Sequence, residues 1–120
     1  MIKKTIVLGA SDNPARYSFK AIHTLLSYGH YVVPIGIKEK EVAGMKIIKG
    51  FPIVDNVHTI TLYVGKIKQE QYYNYILSLK PERIIFNPGT ENLNLKLLCE
   101  QNDIETVENC TLIMLANNLF

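Results

Sequence analysis

The residues best suited to chemistry lie in one short run, Gly9-Ala10-Ser11-Asp12, followed by Arg16 and Ser18. Glycine at a strand-to-helix turn lets the backbone approach a ligand closely, and the first N–H groups of the next helix carry partial positive charge suited to an anion. A phosphate is the natural guest. Arg16, read as one turn inside that helix, adds a bidentate contact to the same group. Lys38 is the second candidate, because it is the first charged residue after the apolar run Tyr31-Val32-Val33-Pro34-Ile35 and Gly36. Dinucleotide folds place a carboxylate there to accept from a ribose 2′-hydroxyl, whereas a cation suits a phosphorylated ribose. Tyr63-Val64 and Asn87-Pro88-Gly89 close two further apolar runs and complete the set.

Other reactive side chains form no constellation. His23, His30 and His58 share no spacing typical of a metal site or a triad, and each is read as structural or exposed. Cys99 and Cys110 lie eleven residues apart without a CxxC pattern, so neither zinc nor a disulfide framework is indicated, and a reducing cytoplasm is expected. Cys110 is ordinarily a small core residue. Its place just after a fifth apolar run nevertheless makes it a possible thiol on the ligand side, able to form a mixed disulfide. Tyr72, Tyr73 and Tyr75 are read as packing and amphipathic surface residues, available to a homo-oligomer interface; no basic stripe makes them a base-stacking platform. No general base pairs with a nucleophile by spacing, so a binding or regulatory module is expected in preference to an enzyme.

The elements that must position these residues follow from the apolar pattern. With 120 residues, 48% hydrophobic and 20% charged, the chain suffices for a single domain over residues 1–120. Its net charge of +2 is far from the dense positive surface that nucleic-acid binding demands. The apolar stretch near the start is too short for a signal-peptide core or a membrane span. Thr5 to Leu8, Tyr31 to Ile35, Thr59 to Val64, Arg83 to Phe86 and Thr106-Val107 read as strands, with a short strand around Lys46 to Ile48. Helical spacing follows the first strand at Ile22, Leu25 and Leu26, and recurs over Tyr72 to Leu79, Leu93 to Leu98 and Cys110 to Leu119. Strands alternating with helices imply an α/β fold, a doubly wound Rossmann-like parallel sheet of about five strands with helices on both faces. Its ligand lies beyond the carboxyl ends of the strands, where the candidate residues fall.

The ligand class can then be narrowed. Ser11 and Pro14 occupy the second and third glycine places of the GxGxxG fingerprint, so NAD fits poorly. NADP or the 3′-phosphorylated ADP of coenzyme A remains, and the broken glycine pattern favours the second. The runs Gly9-Ala10-Ser11-Asp12-Asn13-Pro14-Ala15-Arg16-Tyr17-Ser18, Gly29 to Ile35, Ile60 to Val64, Asn87-Pro88-Gly89 and Asn109-Cys110 resemble the small stand-alone CoA-binding proteins, which are similar to the CoA-binding domain of the succinyl-CoA synthetase alpha subunit. That resemblance implies a Rossmann-type fold binding coenzyme A or an acyl-CoA. Gly9 to Asp12, Arg16 and Ser18 would hold the phosphates, Lys38 after Gly36 would meet the nucleotide, Tyr63 and Val64 would line the cleft, and Asn87 to Gly89 would line the pantetheine side. The family often reads Val-Asn-Pro-Lys where this chain has Ile35-Gly36-Ile37-Lys38. An NADP-binding oxidoreductase subunit and a ligand-free protein-interaction module are the alternatives, and no membrane or nucleic-acid partner is expected.

Overall fold

A computed structural model describes residues 1–120. In chain order the elements are β1 (Lys4–Leu8), α1 (Tyr17–Ser27), β2 (Tyr31–Ile35), a hairpin of β3 (Glu41–Val42) and β4 (Met45–Lys46), and β5 (Thr59–Leu62). There follow α2 (Lys66–Gln69), a 3₁₀ turn over Glu70–Tyr72, α3 (Tyr73–Leu79), β6 (Arg83–Phe86), α4 (Leu93–Gln101), β7 (Glu105–Glu108) and α5 (Thr111–Ala116). Five strands pair in parallel in the order β2-β1-β5-β6-β7. The chain therefore first winds to one side of β1 and then to the other. The reversal falls between β1 and β5, where Leu8 stands level with Ile35 and with Leu62.

Alternate residues of each strand enter two cores, as the pleat requires. Ile6, Leu8, Ile60, Leu62, Ile84 and Phe86 pack under Tyr72 and Ile76 and, from α4, Leu95 and Cys99. Val7 and Val32 face the other way, onto Ile22 and Leu25 of α1 and Leu115 of α5. Both faces are covered, which is why β1 and β6 are near-continuous apolar runs and why the threonines Thr59 and Thr61 of β5 are fully buried. Burial pushes the Cys99 thiol up to about 11.

The edges are handled differently from the middle. Pro34 lies in β2, the edge strand, where a missing N–H costs no ladder bond. Beyond the hairpin, Ile48 covers part of that edge, donating to the Pro34 carbonyl at 2.9 Å and accepting from Gly36 N–H at 3.0 Å. Ala43 and Gly44, at φ 52° and 77°, make the tight hairpin turn. The opposite edge, β7, begins and ends on the exposed carboxylates Glu105 and Glu108.

The short strand expected around Lys46 to Ile48 spans Met45–Lys46, and among the other elements whose bounds differ from expectation three do so for local reasons. The third main strand ends at Leu62, because beyond Tyr63, which still donates to Leu8 O, the Val64 carbonyl turns to accept from the Gln69 side chain. The closing helix spans Thr111–Ala116, and Leu119 N–H folds back onto Met114 O. Helix α1 begins only at Tyr17. Ser11 Oγ accepts from Asn13 N–H and Asn13 Oδ1 accepts from Ala15 N–H, so the segment after β1 is a polar turn and neither Ser11 nor Asp12 caps the helix. Arg16 is accordingly the extended residue just before α1 and does not lie inside it.

At the end of the sheet away from the strand carboxyl ends, Phe120 packs against the His30 ring and the Arg83 guanidinium. His30 Nδ1 accepts from Lys3 N–H at 3.1 Å. Burial, reinforced by Lys3 and Arg83, holds the His30 imidazole below its ordinary 6.5, and burial also lowers His58. Groups with a depressed cationic pKa bind protons more readily in the unfolded chain, so they withdraw stability as pH falls through 6.5 and below. The melting temperature should therefore hold steady from pH 8 to 7 and drop below about 6.5. His30→Gln, which keeps an acceptor for Lys3, should make that drop shallower in a thermal melt series; an unchanged pH profile would assign the decline to other groups.

Candidate functional site

The carboxyl ends of β2, β1 and β5 enclose an open cavity of about 670 Å³ lined by nineteen residues. Its floor exists because the strand ends approach unusually closely. Gly9, at φ 99°, lies so near the β5 turn that a methyl group on it would sit 2.7 Å from the Tyr63 carbonyl oxygen. A methyl on Gly36 would lie 2.5 Å from Ala10 O. Gly9 and Ala10 N–H both donate to Ile35 O, at 2.8 and 2.9 Å, which ties the β1 turn to the end of β2.

Most of the residues singled out from the sequence meet here. Gly9, Ala10, Ser11, Asp12, Arg16 and Ser18 line the cavity from the β1 side, Gly36 and Lys38 from the β2 side, and Tyr63 and Val64 from the β5 side. Ser18 is buried at the start of α1, whereas Arg16 and Lys38 are exposed to solvent and make no ion pair. Burial pushes the Tyr63 phenol up to about 12 against the hydrogen bonding of the Thr61 and Thr111 hydroxyls, so it is neutral at physiological pH.

Asn87, Pro88, Gly89 and Cys110 do not line the cavity. Asn87 is buried beneath it: Nδ2 donates to Thr61 Oγ1 at 2.7 Å and to Leu62 O at 2.8 Å, and Oδ1 accepts from Thr111 N–H at 2.9 Å. It joins the ends of β5 and β6 to the start of α5. Cys110 is a half-buried residue just before α5. The tyrosines are engaged internally, Tyr72 in the core, Tyr73 as acceptor from Asn92, and Tyr75 as donor to Pro52 O.

Ile37, from the same strand end as Gly36 and Lys38, also lines the cavity, as do Ile47, Lys68, Gln71 and Tyr72, four residues that the sequence does not mark as ligand residues. Ile47 arrives by the hairpin's return. Lys68 and Gln71 belong to α2 and the turn after it, a segment with no apolar periodicity to reveal it. The usable signal is positional, since they follow the end of a central strand by six and nine residues.

A parallel sheet wound to both sides of β1, with a glycine turn and a cavity at the reversal, defines the Rossmann-like class of α/β domains. Within that class the chain belongs to the family of CoA binding domains, whose model matches residues 3–116. A protein of known crystal structure, described only as uncharacterized, is 48% identical with a TM-score of 0.98, over 100% of this chain and 99% of that one. Cell-free ID.343 from Thermus thermophilus shares the fold at 19% identity and TM-score 0.87, over 99% of this chain and 91% of its own. The dinucleotide-forming acetyl-coenzyme A synthetase 1 of Ca. Korarchaeum cryptofilum contains a similar fold, at 20% identity and TM-score 0.72, where 89% of this chain corresponds to 25% of the synthetase chain. No curated protein matches the sequence. No helix is long and apolar enough to cross a membrane.

Proposed function

We propose that the protein binds coenzyme A or an acyl-CoA in the cavity at the ends of β2, β1 and β5, as a binding or regulatory module. The observation that carries this reading is the joining of the Gly9–Asp12 turn, Arg16 and Ser18 with Lys38 in one cavity, on a chain of the CoA binding domain family. Of the turn's backbone N–H groups, Gly9 and Ala10 are taken by Ile35 O, which leaves those of Ser11 and Asp12, with Arg16, to suit a diphosphate, and Lys38 suits a ribose phosphate one strand away. The volume is that of a small-molecule site. A non-catalytic role is supported by the titratable side chains that line it: Asp12, Arg16, Lys38 and Lys68 with Tyr17, Tyr63 and Tyr72, a set without histidine or cysteine.

A thermal-shift panel of CoA, dephospho-CoA, NADP and NAD tests this directly. CoA should raise the melting temperature by about ten degrees at a hundred times its Kd, as mass action requires. Dephospho-CoA should do less, and the two nicotinamide nucleotides little. A larger response to NADP than to CoA would favour the oxidoreductase-subunit reading, and silence toward millimolar CoA would defeat the proposal.

A further inference from the structure

Lys68 was not among the residues expected to meet a ligand, yet it lines the same cavity as Arg16 and Lys38, in which Asp12 is the only acid. Three cations thus face one carboxylate. Lys68 forms no ion pair: those present join Lys4 to Asp55, His58 to Glu82 and Lys96 to Glu108, all elsewhere.

The segment that carries it is held with unusual care. Helix α2 has four residues, far too few to persist by its own hydrogen bonds. It is fixed through Gln69, which is fully buried although polar. Gln69 Nε2 donates to Val64 O and to Thr90 O, each at 2.8 Å, and its Oε1 accepts from Asn92 Nδ2 at 2.9 Å. Asn92 donates also to the Tyr73 hydroxyl at 2.7 Å and caps α4 by accepting from Leu95 N–H. On the cavity side Gln71 Nε2 donates to the Lys68 carbonyl at 3.2 Å. Lys68 is therefore mounted on a rim anchored to β5, α3 and α4.

That rim leads directly out of the turn against which Gly9 packs, since a methyl on Gly9 would meet Tyr63 O at 2.7 Å and Val64 Cγ2 at 3.0 Å. An anion resting on the Ser11 and Asp12 N–H groups, which have no acceptor within the protein, lies in the cavity that the β5 turn also lines. Lys38 stands on the opposite side, at the end of β2, two strand spacings from β5, or about 10 Å.

We propose that Lys68 is a ligand-contacting residue that binds the diphosphate of the bound nucleotide from the β5 side, while Arg16 binds it from the β1 side; this rests on the reading of the cavity given above. Arg16 supplies a planar fork and Lys68 a compact point charge, so two cations share one diphosphate and leave Lys38 for the ribose phosphate.

Titration calorimetry of CoA and dephospho-CoA against wild type, Lys68→Met and Lys38→Met separates the roles, because dephospho-CoA keeps the diphosphate and lacks only the 3′-phosphate. Lys68→Met should weaken both compounds about tenfold, as loss of one charged hydrogen bond does, leaving their affinity ratio unchanged. Lys38→Met should weaken CoA alone and bring the ratio toward one. Lys68→Arg should retain most of the affinity, and the melting temperature of the unliganded Lys68→Met protein should equal that of wild type. Unaltered binding by Lys68→Met, or a loss confined to CoA, overturns the assignment while leaving CoA binding intact. Failure of wild type to bind either compound overturns both.

Discussion

Gly9→Ala should destabilise the protein by about 2 to 4 kcal/mol, combining a left-handed backbone with a methyl driven into a carbonyl oxygen. The backbone at Gly9 has φ 99°, and the added carbon would approach Tyr63 O to 2.7 Å and its carbonyl carbon to 2.9 Å. Neither neighbour is a side chain free to rotate away; both belong to the backbone entering α2. Relief must come from parting β1 and β5 at their ends, which also opens the Tyr63 N–H to Leu8 O bond of 2.8 Å. Urea denaturation should show the midpoint falling with the slope preserved, and protein that still folds should bind CoA weakly. Gly36→Ala isolates the steric part, because Gly36 has no left-handed φ and its methyl would meet Ala10 O at 2.5 Å. Stability equal to wild type in both variants would show that the strand ends are farther apart than described.

Asn87→Ala should cost about 3 kcal/mol, since it removes three side-chain hydrogen bonds in a buried setting and leaves the Thr111 N–H and the Leu62 carbonyl without these partners. It also removes a partner from the Thr61 hydroxyl, which is bonded to Thr111 Oγ1 at 2.8 Å. The affinity for CoA tells the structural and ligand roles apart. If Asn87 acts only beneath the cavity, folded Asn87→Ala should bind CoA within about threefold of wild type, a difference of roughly 0.7 kcal/mol. A tenfold loss at unchanged stability would instead place its amide on the ligand.

The course of the sheet was legible in the sequence because β1 and β6, buried on both faces, are uniformly apolar at Ile6-Val7-Leu8 and Ile84-Ile85-Phe86, while β5 between them alternates Ile60 and Leu62 with threonines. The parts of the cavity set by strand ends followed from them: Gly9 to Asp12, Gly36, Lys38, Tyr63 and Val64 all line it. What escaped depends on contacts remote in sequence. The Lys66-Ile67-Lys68-Gln69 segment has no apolar face, with Ile67 projecting into solvent, and it is helical because Gln69 finds Thr90 and Asn92 more than twenty residues ahead. Arg16 was placed one turn too far into a helix because the Ser11, Asn13 and Ala15 hydrogen bonds delay its start. Asn87 sits at a strand end as the ligand rule asks, but three internal bonds claim its amide.

The two edges of the sheet bear on how copies of this chain can meet. Strand addition needs a row of free N–H and C=O groups, and β2 offers an edge with Pro34 in it and Ile48 already bonded across its end. A copy approaching β7 finds a strand of four residues bounded by Glu105 and Glu108, and a second β7 laid alongside would bring like charges together. Both edges thus disfavour extension of the sheet by a second copy, although the sheet is not a barrel. Contact between copies through the helical layers or the rim of the cavity meets neither obstacle.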